Sequence, residues 1–274
     1  MTEFDAFERA GWSSGRSALY HAGLGAITAR PVETLLDLAG VGAGSVVLDV
    51  ACGPGYAAGT AASRGAAATG VDLSPEMVAL AGSLHPGESL VVAAADALPF
   101  EGGAFDAVVS SFLMPHVSDL PAVVAEFARV TRPGGRVALT TWDPEPETFL
   151  RALIEAIAEG GAEPPPDLPA GPPFFQYAGD DEFAALLVGA GLSDPVVESH
   201  GFTHPVAALD GFWADLMSGT VRSSAMIRAQ SSQIQAEIRR LFEARCERWR
   251  TGDTWELPCA VKLGAATQSR HERA

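Results

Sequence analysis

Residues 46–59 read VVLDVACGPGYAAG. Val46, Val47 and Leu48 form an apolar, β-branched run of strand length that Asp49 closes with a carboxylate. Gly53-Pro54-Gly55 then enforces a sharp turn, and an alanine-rich segment starts at Tyr56. The stretch predicts a strand, a tight loop and a helix start. Glycine at 53 and 55 permits positive φ and lets a ligand approach the main chain where a Cβ would obstruct it. A small-molecule cradle and a purely geometric strand-to-helix turn both fit this stretch in isolation.

The segments that follow favour the cradle. GVDLSPEMVALA (70–81) repeats the pattern, with Asp72 ending an apolar run. An acid at that point can accept hydrogen bonds from both hydroxyls of a ribose. LVVAAADALPF (90–100) puts Asp96 after a third apolar run, and FDAVVSSFLMPHV (105–117) puts Ser111 after a fourth. Strands are expected near 46–51, 68–72, 90–94, 106–111 and 135–142, with helices near 31–38, 56–64, 75–83 and 119–131. This alternation predicts an α/β fold with a parallel sheet covered on both faces, whose ligand lies at the carboxyl ends of the strands. Asp49, Asp72, Asp96 and Ser111 all fall at or next to such ends.

Composition narrows the function. The 274 residues allow a large α/β domain with additions. With 18 basic against 34 acidic side chains the formal charge is −16, which argues against a nucleic-acid or anionic-membrane partner, since phosphate binding needs a cationic footprint. Cys52, Cys246 and Cys259 are too few and too scattered for a disulfide framework or a metal cluster, so no metal is expected. The acidic start MTEFDAFERAGW lacks the character of a signal peptide, and no apolar run reaches membrane-spanning length. A cytoplasmic protein, monomeric or homodimeric, is the expectation.

VLDVACGPG, GVDLSPEMVALA, AADALPF, FDAVVSSFLMPHV and RPGGRVALTTW, in this order across roughly residues 40–145, resemble the motifs of class I S-adenosylmethionine-dependent methyltransferases. They are closest to small-molecule enzymes similar to those of ubiquinone and menaquinone biosynthesis. The resemblance implies a Rossmann-like methyltransferase fold with a seven-stranded, mostly parallel sheet, a closing antiparallel strand beside the fifth, and an added helical cap. It implies S-adenosylmethionine as cofactor. Asp49, Ala51, Gly53, Pro54 and Gly55 would form the loop at its methionine part, and Asp72 would bind its ribose. Leu73 and Met77 would flank the adenine, which Asp96, Ala97 and Leu98 would hold, with Ser111 and Phe112 near the sulfonium. One departure is visible: the family's Asp-x-Gly-x-Gly-x-Gly has alanine at its first glycine, Ala51.

The resemblance also implies an N-terminal lid over residues 1–29, in which Trp12 and Tyr20 either contact the substrate or pack the lid. Cap insertions are expected at 144–178, a helix and then a proline-rich stretch containing Phe175, and at 206–250, where two helical patterns include an apolar stripe from Ile227 to Trp249. The methyltransferase domain is placed at 30–264, with TWELPCAVKLGAAT as its last strand and 265–274 as a disordered tail. Trp142 ends strand five, on the binding edge. His116, just past strand four, either takes a proton from an acceptor hydroxyl or only caps the following helix. The activity implied is methyl transfer to oxygen, nitrogen or carbon of a small, partly aromatic or apolar metabolite, in secondary metabolism. A cyclisation, pericyclic or decarboxylation step on the same fold is the alternative, and a non-catalytic partner subunit and an NAD-dependent enzyme are further rivals.

Overall fold

The computed structural model describes residues 2–13 and 15–269. Its elements run α1 (Glu3–Trp12), α2 (Arg16–Ala22), α3 (Gly25–Thr28), α4 (Val32–Leu38), β1 (Val46–Val50), α5 (Tyr56–Ser63), β2 (Ala67–Asp72), α6 (Pro75–Leu84) and β3 (Ser89–Val92). After these come β4 (Phe105–Ser111), a 3-10 turn (Met114–His116), α7 (Leu120–Val130), β5 (Thr131–Trp142), α8 (Phe149–Glu159), α9 (Asp180–Gly189) and β6 (Leu192–Val206). The chain ends with α10 (Leu209–Gly219), α11 (Arg222–Arg228), α12 (Ser232–Cys246), a second 3-10 turn (Glu247–Trp249), β7 (Arg250–Thr251) and β8 (Thr254–Gln268).

Two compact units divide this chain. One comprises Thr28–Trp142, Pro172–His200 and Val261–Ala274. The sheet order is β3-β2-β1-β4-β5-β8-β6, with the two-residue β7 paired to β8 off that path. β1 pairs in parallel with β2 and with β4, β4 pairs in parallel with β5, and β8 lies antiparallel beside β5. The mostly parallel sheet and its closing strand beside the fifth are therefore present, with the seven expected strands on the main path and the short β7 as an eighth. Val47, Leu48 and Val50 of β1 are all fully buried, as expected for a central parallel strand covered on both faces. Right-handed crossovers put α5 and α6 on one face and α7 on the other. Phe127 of α7 and Phe183 and Leu187 of α9 fill the core on that second face. Because the chain moves outward through β2 and β3 and then returns to β4, the direction of winding reverses between β1 and β4, the position at which such sheets bind ligands.

Local chemistry sets the helix starts around that point. Gly55, at φ 80°, precedes α5. Ser74 caps α6, its hydroxyl accepting from the Met77 amide, with Pro75 in the first turn. Asp119 caps α7 through the Ala122 amide.

The other unit comprises Met1–Ile27, Asp143–Gly171 and Gly201–Ala260. It is held by an aromatic cluster in which Phe149 meets Phe212 at 5.3 Å and Trp213 meets Phe242 at 5.6 Å. Arg245 of α12 bridges to Glu155 and Glu159 of α8. Three helices, not two, occupy 206–250: the stripe from Ile227 breaks where Ser231 caps α12, and Ile238, Phe242 and Cys246 carry its buried face.

Three further expectations need correction. Pro172–His200 belongs to the unit that holds the sheet, so Phe175 is not in the same unit as the helix at 149–159. β5 begins at Thr131, four residues early, because Pro133 and Gly134 form an irregularity in the register rather than a separate loop. β8 continues to Gln268 with Ala265 and Ala266 fully buried, so the tail cannot start at 265; residues 270–274 lie outside those described.

Gly264 of β8 is required by packing. A Cβ there would lie 2.5 Å from Cε2 of Phe183, itself fully buried. Gly264→Val is expected to destabilise the protein by about 1–3 kcal/mol through overpacking. Urea titration followed by circular dichroism measures this, and an unchanged midpoint would contradict the packing described.

Candidate active site at the carboxyl edge of the sheet

The glycine loop leaves β1 through three left-handed residues: Ala51 at φ 55°, Gly53 at φ 51° and Gly55 at φ 80°. Only alanine among them carries a Cβ, so the substitution preserves the backbone at a strain of about 1–2 kcal/mol. Nothing lies within 4 Å of where a Cβ on Gly53 would point, whereas one on Gly55 would meet His85 and Ala81. Gly53 thus presents bare main chain to open space, and Gly55 is needed for packing.

Two carboxylates fix this loop. Asp49 is almost fully buried and accepts from the Ala58 amide of α5 at 2.9 Å. Asp72, at the end of β2, accepts from the Gly53 amide through Oδ2 and from the Ser74 amide through Oδ1, both at 2.8 Å. These two bonds, with a contribution from the Leu73 amide, use part of the carboxylate's acceptor capacity, and what remains suits a hydroxyl donor. Burial raises the Asp72 pKa, opposed by the Ser74 and Gly53 amides. Cys52 lies buried beside them, its thiol pushed well above its ordinary value by burial and by both carboxylates, so it stays protonated and is no nucleophile.

β3 ends at Val92, so Asp96 sits four residues beyond the strand, exposed in a turn with Ala97. Leu98 is buried, its amide donating to Glu126 of α7 at 2.9 Å, while Arg129 donates to the carbonyls of Phe100 and Leu98. The Glu126–Arg129 pair that anchors this turn was not anticipated; its spacing of three on a helix reads as an ordinary surface ion pair. Met77 is buried in the first turn of α6 next to the half-buried Leu73. Pro54 is buried in the loop itself.

At the end of β4, Phe112 takes φ 60°, an outlier for a bulky residue. Its amide donates to Thr140 of β5, and its ring lies 4.6 Å from that of Trp142 at 39°. Ser111 and Thr140 share a hydroxyl–hydroxyl contact of 3.1 Å. Thr140 too was missed, although two threonines at the end of an otherwise apolar strand were a visible signal. His116 follows in the 3-10 turn, half-buried, its amide bonded to the Leu113 carbonyl. Phe175 lies in a turn, edge to face with Phe174 at 5.1 Å. In the other unit Trp12 donates to Glu8 and meets Tyr20 edge to face at 5.5 Å. Among the described residues no cluster of His, Cys, Asp and Glu could hold a metal ion, and no helix is long and apolar enough to cross a membrane.

A nucleoside with vicinal hydroxyls and a cationic group fits these residues: an open main-chain approach at Gly53, lone pairs on Asp72, and acidic groups nearby. Asp49 has its pKa raised from 3.8 to about 7, by burial first and also by the charge of Asp72, against the Ala58 amide. The folded protein therefore holds a proton that the unfolded chain has released, so the stability linked to Asp49 is full below about pH 4 and is lost as pH rises to 7. The loss amounts to about 4 kcal/mol at roughly 1.4 kcal/mol per pH unit. Asp49→Asn keeps an oxygen for Ala58 and removes the charge, so the ligand-free variant should lose less stability between pH 4 and 7 than the parent. Parallel pH profiles of unfolding free energy would refute this.

Residues 48–139 match the family profile described as a methyltransferase domain. Over 163 residues the chain is 34% identical to a ubiquinone biosynthesis O-methyltransferase of Xanthomonas oryzae, covering 57% of this chain and 66% of that one. It is 36% identical over 135 residues to a demethylmenaquinone methyltransferase of Beutenbergia cavernae, covering 45% and 56%. The alignments thus span less than two thirds of these relatives' lengths. The fold is similar to that of Haemonchus contortus phosphoethanolamine N-methyltransferase 2, solved with phosphomonomethylethanolamine and S-adenosylhomocysteine, at TM-score 0.53 and 19% identity over 88% of this chain and 53% of that one. Residues 48–139 thus form a methyltransferase domain, whose strand order, glycine loop and strand-end acids are those of the class I S-adenosylmethionine-dependent type.

Proposed function

We propose that this protein transfers a methyl group from S-adenosylmethionine to oxygen, nitrogen or carbon of a small, partly aromatic or apolar metabolite. The observation that carries the reading is the convergence of Asp49, Asp72 and the open main chain at Gly53 on the point where the sheet reverses its winding. Relatives named for quinone biosynthesis support an aromatic acceptor. The acidic composition agrees with a small-molecule substrate rather than a nucleic acid.

The bound cofactor supplies an electrophilic methyl on a sulfonium. The protein's task is then to hold the acceptor's lone pair in line behind that methyl, and positioning of this kind gains on the order of 7–11 kcal/mol. In this reading Asp72 receives the ribose hydroxyls while its amide partners hold its orientation. Ala51, Gly53, Pro54 and Gly55 border the methionine part, with Asp49 offering negative charge to its ammonium. Leu73 and Met77 flank the adenine, and Asp96, Ala97 and Leu98 hold its edge. Ser111 and Phe112 border the sulfonium, Trp142 and Phe175 contact the acceptor, and His116 takes the acceptor's proton as transfer proceeds. The assignment of Trp12 and Tyr20 to acceptor contact rests on the sequence resemblance alone.

Asp72→Ala should weaken S-adenosylmethionine binding about 100-fold, the loss of two hydrogen bonds to a charged acceptor. Calorimetry measures it, and unchanged affinity would remove the ribose assignment. Incubation with S-adenosylmethionine and a panel of phenols and catechols should yield products heavier by one methylene. A transformed acceptor with unchanged cofactor would show a non-transferring reaction instead. With an acceptor in hand, His116→Ala should lower turnover about 100-fold at near-normal cofactor affinity; turnover equal to the parent's would return His116 to a structural role.

A further inference from the structure

The turn after β4 is held by a residue outside the motif positions. Thr140 of β5 is fully buried and lies directly beside Ser111 in the parallel register of the two strands. The Phe112 amide donates to it twice over, to its carbonyl at 3.1 Å and to its Oγ1 at 3.2 Å. The same Oγ1 lies 3.1 Å from the Ser111 hydroxyl. Phe112 is left-handed, a conformation that a bulky side chain keeps only where its surroundings over-determine it. Its ring is almost fully buried and packs on that of Trp142, two residues beyond Thr140 on the same strand.

We propose that Thr140 is the positioning residue of the carboxyl-end turn of β4, its hydroxyl fixing both the left-handed main chain at Phe112 and the direction of the Ser111 hydroxyl. The inference rests on the methyltransferase reading and adds to it a residue that touches neither cofactor nor acceptor. The chemistry is specific to a hydroxyl. Oγ1 accepts from the Phe112 amide and still has a hydrogen and a second lone pair, so it can pair with the Ser111 hydroxyl in either sense while holding the amide. Valine has the same shape as threonine but can neither accept nor donate. It leaves the Phe112 amide with one acceptor and the Ser111 hydroxyl without its neighbour, so the turn loses its preference for the arrangement seen.

The test uses S-adenosylhomocysteine as the probe, calorimetry for affinity and thermal denaturation for stability, on the full chain. Thr140→Val and Thr140→Ala are expected to bind about tenfold more weakly than the parent, the equivalent of one hydrogen bond, and Thr140→Ser to restore binding to within about twofold. Thr131→Val is the control: Thr131 is an equally buried threonine of β5 whose hydroxyl bonds to the Phe127 carbonyl at the opposite end of the strand. It should lower the melting temperature comparably and leave affinity unchanged. The share of ligand-induced fluorescence change that disappears in Trp142→Phe should also disappear in Thr140→Val. Unchanged affinity in Thr140→Ala overturns the proposal, as does equal weakening in Thr131→Val or failure of Thr140→Ser to rescue. A parent protein that binds no S-adenosylhomocysteine refutes the methyltransferase reading instead, and the two failures are thereby distinguished.

Discussion

The bond from the Gly53 amide to Asp72, 2.8 Å long, ties the loop leaving β1 to the end of β2, and the site is built around it. A loop with three left-handed residues has little intrinsic preference for one conformation, because glycine is permissive and alanine is strained there. Two carboxylates supply the missing preference. Asp49 fastens the helix end of the loop through Ala58, and Asp72 fastens its middle. Each acid that would face a ligand is therefore also a structural acceptor, so the loop is set in shape before anything binds and less ordering is left to be done on binding.

This arrangement has an electrostatic cost. Asp49 and Asp72 sit on adjacent strands and both act on the buried Cys52 thiol, and the charge acting on Asp49 is that of another carboxylate. A buried anion without a cation is unstable relative to its protonated form, which is why the Asp49 pKa rises. A ligand bearing positive charge removes that cost, whereas a neutral nucleoside leaves it. The same crevice that destabilises the ligand-free protein at neutral pH thus favours a cationic guest over its uncharged counterpart.

The sequence carried the sheet and the loop because both depend on local signals: apolar runs of strand length, glycine where φ is positive, and an acid after each run. It misplaced what depends on partners distant in the chain. Asp96 reads as a strand end, but β3 stops at Val92, and the turn beyond it is shaped by Glu126 and Arg129 from α7. The stripe from Ile227 looks continuous because Ala229 to Ser231 holds no proline or glycine, yet Ser231 caps a new helix. Ala265 and Ala266 fall where the expected last strand and the expected tail overlap, and their pairing with Ala138 and Val137 settles them as core. Thr140 escaped for the same reason: its role lies in a neighbour 28 residues away.

Positive φ at non-glycine residues links these observations. Of the four described, Ala51 and Phe112 follow the carboxyl ends of β1 and β4, the two strands between which the winding reverses. Both are held by hydrogen bonds to a neighbouring strand: the Cys52 amide after Ala51 donates to Val71 of β2, and the Phe112 amide to Thr140 of β5. Such strain persists only where the surroundings impose it, and it turns the backbone away from the sheet just where a ligand would need access to main chain. The two turns are braced from opposite sides, one by β2 and the other by β5. A loss of bracing on one side therefore need not disturb the other, so the glycine loop and the β4 turn can be altered separately without undoing the sheet.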